Sequence, residues 1–326
     1  MIVYAIVATF ATYLVTKVSG EDAWLGRGGG GGHSETIRRI VTRPTGETLK
    51  SIGGHDSIKR ELERSVLLPL LHPNVFFTGS PAVRPPTGIL FHGPPGTGKT
   101  MLARALACET GVPFLSLNNS TLESKWWGES PKLLAAAFRV AKEELAPCIV
   151  FFDEIDGMGR ARCEQDQSCV YSFKCELLRN LDSVKDDPVV VLGCTNSLHA
   201  LDPALRRRFP KVVHVDRPDE GQRLQILKLM CKDEPFLDVD LLVRVSRSCP
   251  PSFTGADLRS LFSEASNLRM EGISASELET LSDGDDLLNR LGPLSWEHWT
   301  RAAERMGVSL ANEDEKKKKK EEDSST

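Results

Sequence analysis

The chain has 326 residues, enough at about 150 residues per domain for one large domain or two modest ones. Hydrophobic residues make up 40% and charged residues 26%, which excludes a disordered or collagen-like chain and allows a sizeable core. The formal net charge of −4 excludes a blanket polycation, so no nucleic-acid partner is expected. Eight cysteines without a CxxC pair or zinc spacing read as reduced core thiols.

Residues 1–18 begin MIVYAIVATFATYLVT, with no charge before Lys17. From Ile2 to Val18 a helix would rise roughly 26 Å at about 1.5 Å per residue, short for a bilayer but sufficient for a thin one. Lys17 can snorkel to the headgroups, and Tyr4 and Tyr13 suit an interface, so the segment is expected to be a transmembrane anchor. The competing reading, a cleaved signal peptide cut near Ser19 and Gly20, lacks a basic stretch ahead of the apolar run. Residues 19–46, with Gly28 to Gly32 in a row, are expected to form a flexible tether spanning on the order of 30 Å. At the other end, residues 311–326 read as a solvated, disordered charged tail.

Between these ends an apolar run, Gly88 to His92, leads into Gly93-Pro94-Pro95-Gly96-Thr97-Gly98-Lys99-Thr100. A strand feeding a glycine-rich turn and then a helix is the arrangement that cradles phosphates, because backbone N–H groups and the positive helix end face the anion. Lys99 is placed to reach the β- and γ-phosphates of ATP, and Thr100 to put its hydroxyl on Mg²⁺. A second run, Cys148 to Phe152, ends in Asp153-Glu154-Ile155-Asp156. A buried parallel strand delivers these carboxylates at its C-terminal edge, where Asp153 can hold Mg²⁺ and Glu154 can polarise an attacking water. A third run, Val189 to Gly193, ends in Thr195-Asn196, whose amide can fix that water. Beyond it, Arg206, Arg207 and Arg208 offer guanidinium groups of the kind that a neighbouring subunit supplies to a transferring phosphoryl group.

The order and spacing of GPPGTGKT, FFDEID, Thr195-Asn196, Arg207-Arg208 and Thr254-Gly255-Ala256-Asp257 resemble the AAA+ ATPases, and within them the AAA branch. The resemblance covers roughly residues 49–305. It implies an α/β fold, a P-loop module with a parallel sheet flanked by helices at residues 47–216, then a small helical lid and C-terminal helix at residues 217–310. It also implies ATP hydrolysis with Mg²⁺, a homo-hexameric ring, and threading of polypeptide substrates through the centre. The Ser51-Ile52-Gly53-Gly54 strap, the segment Lys125-Trp126-Trp127-Gly128-Glu129-Ser130 and the run Arg207-Arg208-Phe209-Pro210-Lys211 are similar to the family's membrane-anchored members. Those members act at the mitochondrial outer membrane and peroxisomes, extracting mislocalised tail-anchored proteins, and keep the ATPase domain in the cytosol.

By the same resemblance, Ile52, Gly53, Gly54, Gly255 and Ala256 contact the nucleotide, and Lys125, Trp126, Trp127 and Gly128 form a pore loop. Two adjacent tryptophans between polar flanks fit a core poorly, since neighbouring side chains on a strand point to opposite faces. A second pore loop would fall near residues 163–167, where the sequence departs from the family pattern. Asp257 is either a nucleotide-site residue or an ordinary first-turn acid. Trp296 and Trp299, three apart, have the spacing of helix packing. The severing and filament-disassembling relatives are the alternative reading. A membrane protease is excluded by the lack of an HExxH motif.

Overall fold

The three apolar runs become the centre of a six-stranded sheet. The computed structural model describes residues 32–78, 84–118, 130–157, 167–234, 236–271 and 291–310. The strands are β1 Val41–Thr42, β2 Gly88–His92, β3 Phe114–Leu117, β4 Cys148–Phe152, β5 Val189–Thr195 and β6 Lys211–His214. Their order is β1-β3-β4-β5-β2-β6, parallel throughout except for the antiparallel pair of β1 with β3. All five residues of β4 and all seven of β5 are buried, as expected of strands covered on both faces. β2 lies between β5 and β6, so the phosphate loop emerges beside the tip of β5.

Helices α1 Gly32–Ile40, α2 Asp56–Leu62, α3 Lys99–Thr110, α4 Ser130–Val140 and α5 Gln167–Ser183 accompany this sheet. On one face Leu102, Ala103 and Leu106 of α3 pack with Ile89, Phe91, Phe151 and Leu192. On the other, Leu133, Ala137 and Phe138 of α4 pack with Leu90, Val150, Phe152 and Leu177. A separate core joins α6 Glu220–Met230, α7 Val239–Ser248, α8 Gly255–Met270 and α9 Trp296–Arg305. Leu227, Val245, Leu261, Ala265 and Trp299 are at its centre. Capping boxes at Asp219, Thr254 and Ser295 start α6, α8 and α9. Asp257 is the acidic half of the Thr254 box, so its carboxylate belongs to the helix start. Trp299 is fully buried beside Phe262, and Trp296 lies under the Arg244 guanidinium, so both tryptophans serve packing.

The N-terminal stretch departs from expectation. Residues 32–42, inside the presumed tether, form α1 and β1, and β1 adds an antiparallel edge beside β3. Ile37 is fully buried, and Arg38 makes a two-pronged contact to Glu144 at 2.8 and 2.9 Å. Ser34 accepts from Arg139 of α4 at 2.6 Å. The glycine row dominates the local composition, yet Ile37 and Ile40 recur at helical spacing and pack, with Val41 of β1, against the core that contains α4. The proposed anchor, the pore loop at 125–128, the region 163–166 and the charged tail lie outside the described residues. Among the described residues no helix is long and apolar enough to cross a membrane.

Candidate functional site

The C-terminal edge of the sheet and the lid enclose a cavity of about 830 Å³. Its floor is Pro95 to Thr100 with Asp153, Glu154, Thr195 and Asn196, and its far wall is Ile226, Leu229, Met230 and Phe262 of the lid. A polar floor with an apolar wall suits a ligand with a phosphate end and a flat base.

The phosphate loop folds as a glycine turn because three of its glycines, Gly93, Gly96 and Gly98, have positive φ. Lys99, 7% exposed, donates from Nζ to the carbonyls of Gly93 and Pro94 at 2.8 and 2.7 Å, while burial pulls its ammonium below the ordinary lysine value. Thr97 Oγ1 donates to Pro94 O at 3.0 Å and closes the turn. At the start of α3, Thr100 Oγ1 lies 3.2 Å from Asp153 Oδ2. A hydroxyl and a carboxylate converging beside the glycine cradle are the hard oxygen donors that Mg²⁺ takes, so the residues present fit that ion. Gly93 and Pro94 lie behind the turn rather than on the cavity wall.

Glu154 is exposed to the cavity and has φ 51, a left-handed backbone rare outside glycine. The turn that carries it is tied to the tip of β5. Ile155 N donates to Cys194 O at 2.9 Å, and Thr195 Oγ1 donates to Asp156 Oδ1 at 2.7 Å. Ser197 N donates to the same Thr195 hydroxyl at 3.0 Å, which fixes the backbone on both sides of Asn196. Glu154 and Asn196 therefore face one cavity from two linked strand ends.

The strap and the lid close the other side. Ile52 and Gly53 line the cavity, whereas Gly54 lies outside it and donates its N–H to Gln225 Oε1 of α6 at 2.9 Å. Gly255 and Ala256 line it from the start of α8. Arg207 and Arg208 do not line it: Arg207 is exposed, and Arg208 contacts Asp182 through Nε and Nη2 at 3.2 and 2.9 Å. That position is compatible with arginines that act on a neighbouring copy. The structure adds residues that sequence reasoning did not single out: His55, Arg259 and the lid's apolar wall. Arg259 falls three residues after Ala256, one helical turn on, so helical spacing was a usable signal for it. His55 had none.

Behind the loop, His92 at the end of β2 stacks on His214 at the end of β6 with ring centroids 4.6 Å apart. Burial pulls the His92 imidazole below its ordinary value, and His214 and Arg206 push it the same way.

The profile of the family described as "ATPase family associated with various cellular activities (AAA)" matches residues 89–217. The chain is 36% identical over 267 residues to the outer mitochondrial transmembrane helix translocase of Danio rerio, an alignment spanning 80% of this chain and 70% of that protein. It is 38% identical over 269 residues to spastin of Sus scrofa, across 78% of this chain and 43% of spastin. A crystal structure of the FIGL-1 AAA domain in complex with ADP superposes with a TM-score of 0.71 at 29% identity, covering 89% of this chain and 94% of that one. The profile spans the phosphate loop and the carboxylate strand, the alignment with the translocase covers most of both chains, and the chain belongs to the AAA family of ATPases.

Proposed function

We propose that this ATPase is a membrane-anchored hexamer that couples ATP hydrolysis to threading and extracting mislocalised tail-anchored proteins from the mitochondrial outer membrane. The observation that carries this reading is the alignment with the zebrafish translocase over 70% of that protein's length. An apolar, uncharged run at residues 2–16, ahead of the domain, supports it. In this reading the backbone of Gly96, Thr97 and Gly98 and the Lys99 ammonium hold the β- and γ-phosphates. Thr100 and Asp153 hold Mg²⁺, which supplies charge neutralisation on the phosphoryl oxygens. The Glu154 carboxylate accepts a proton from the water that attacks the γ-phosphorus, and the Asn196 amide orients that water. ADP departs from the opposite side, where Arg207 of the adjacent copy stabilises the developing charge and Arg208, held by Asp182, flanks it. Trp126 and Trp127 grip the substrate chain, since large rigid rings hold many sequences alike.

The alternative is a remodelling ATPase of the microtubule-severing or filament-disassembling type. The similarity to spastin favours it, although less than half of spastin is matched. Reconstitution separates the two: full-length protein in liposomes carrying a single-span, tail-anchored protein is expected to release that protein on addition of ATP. No release in the presence of measured ATP turnover contradicts extraction.

A further inference from the structure

Among the described residues only two non-glycines, His55 and Glu154, have a left-handed backbone, and both line the nucleotide cavity. Strain of this kind persists where surrounding structure enforces it, and it gathers at functional sites. Glu154 has its role in the proposed chemistry; His55 has none. His55 is 7% exposed, and its Nε2 lies 3.2 Å from the carbonyl oxygen of Thr97 in the phosphate loop. A carbonyl only accepts, so Nε2 carries the hydrogen and donates it.

The residue before it is bound to the lid. Gly54 donates its N–H to Gln225 of α6, and at Gly53 and Gly54 the helix approaches so closely that an added Cβ would lie 2.7 Å from the Ile226 backbone and 3.0 Å from Gln222. On the other flank, Lys59 Nζ caps the Ile52 carbonyl at 2.5 Å. Adjacent residues of one short strap are therefore fixed to the two bodies that enclose the cavity, the phosphate loop through His55 and the lid through Gly54.

We infer that His55 is a positioning residue that holds the phosphate loop to the strap and so transmits nucleotide occupancy of that loop to the lid. The inference rests on the reading that this cavity binds ATP. A shift of the loop around the phosphates moves Thr97 O, and the imidazole carries that movement to Gly54 and thence to Gln225. A hydrophobic residue at position 55 fills the space but releases the loop.

Three variants of the full-length protein test this, with a fluorescent ATP analogue for affinity, steady-state turnover, and hydrogen–deuterium exchange over residues 220–230. For His55→Leu the expected result is a five- to tenfold rise in Kd and KM, a kcat within about threefold of the unsubstituted protein, and loss of the ATP-induced protection of 220–230. His55→Gln, which retains a donor, restores all three. Gln225→Leu, which cuts only the lid end, loses the protection and binds the analogue within twofold of the unsubstituted protein. Unaltered affinity and protection in His55→Leu overturn the inference, as does a Gln225→Leu protein with full protection. A His55→Gln protein as impaired as His55→Leu reduces the residue to a folding role. Failure of the unsubstituted protein to bind the analogue instead defeats the ATP-site reading beneath it.

Discussion

Ala256, in the first turn of the lid helix α8, donates its backbone N–H to the carbonyl of Gly96 in the phosphate loop at 3.1 Å. The phosphate loop therefore satisfies one of the free N–H groups at the helix start, and lid and loop touch through backbone at the point where phosphate is held. Gly96 has φ +77, and a Cβ there would lie 2.7 Å from Thr254 Oγ1 and 2.9 Å from Ala256 Cβ. Gly96→Ala is expected to cost about 1–2 kcal/mol of stability from the left-handed backbone alone, and to weaken ATP affinity because the added methyl forces Thr254 and Ala256 away from the loop. Titration with a fluorescent ATP analogue checks it, and unchanged affinity refutes the lid–loop contact.

Replacing Glu154 by Gln keeps the side chain's shape and removes the base. Turnover is expected to fall by roughly 10²–10⁴ while ATP still binds. A turnover rate near that of the unsubstituted protein would remove Glu154 from its assigned role.

The two arginines are not equivalent. Arg208 is already engaged by Asp182, whereas Arg207 is exposed, so Arg207 is the guanidinium available to a neighbouring copy. Arg207→Ala is expected to lower kcat by about 10³ or more. In rings mixed with Lys99→Ala subunits, which offer intact arginines but a disabled site, partial activity should return. No rescue in mixed rings argues against action in trans.

Much of this site is legible in the sequence because its chemistry needs fixed residue types at fixed spacing. Gly93 to Thr100 and Asp153-Glu154 lie at strand ends, where an apolar run followed by glycines or carboxylates has one structural reading. His55 is different: a lone histidine after two glycines carries no periodic signal, and only the fold brings it to Thr97 across 42 positions of sequence. The helix Gly32–Ile40 was hidden for the opposite reason, since a run of glycines outweighed two apolar residues, Ile37 and Ile40, whose core partners include α4 residues about a hundred positions away. The tip of β5 is intermediate. Thr195-Asn196 is visible as a polar strand end, but the bond from Thr195 to Asp156 that steadies it is not.

The lid core contains a nearly buried ion pair. Arg269, with its side chain 4% exposed, donates to both carboxylate oxygens of Glu234 at 2.8 and 3.0 Å and to the Gly292 carbonyl at 3.1 Å. Glu234→Ala strands the guanidinium and is expected to cost about 3–5 kcal/mol. Thermal unfolding followed by calorimetry should show a lowered Tm, and an unshifted transition would contradict the pairing.

Acid should destabilise the fold through two histidines. Burial lowers both His55, which faces Asp56, Lys59 and Asp216, and His92, which faces His214, Arg206, Lys99 and His199. Above the ordinary value of about 6.5 folded and unfolded chains both hold these rings neutral, so neither affects stability. Below it the unfolded chain takes up protons that the folded one refuses, and stability falls as the pH drops. The expected result is a Tm that declines from pH 7 to pH 5.5, with a shallower decline in His55→Gln and in His92→Gln. A decline equally steep in both variants assigns the acid sensitivity elsewhere.

The proposed extraction function is tested most directly by the full-length Glu154→Gln protein used as a trap in cells, crosslinked and its bound partners identified by mass spectrometry. Held in the ATP state without turnover, it is expected to enrich single-span, tail-anchored membrane proteins, foremost those mislocalised to the mitochondrial outer membrane. Enrichment of tubulin or soluble filament proteins in their place would contradict extraction and leave an AAA ATPase that remodels soluble assemblies.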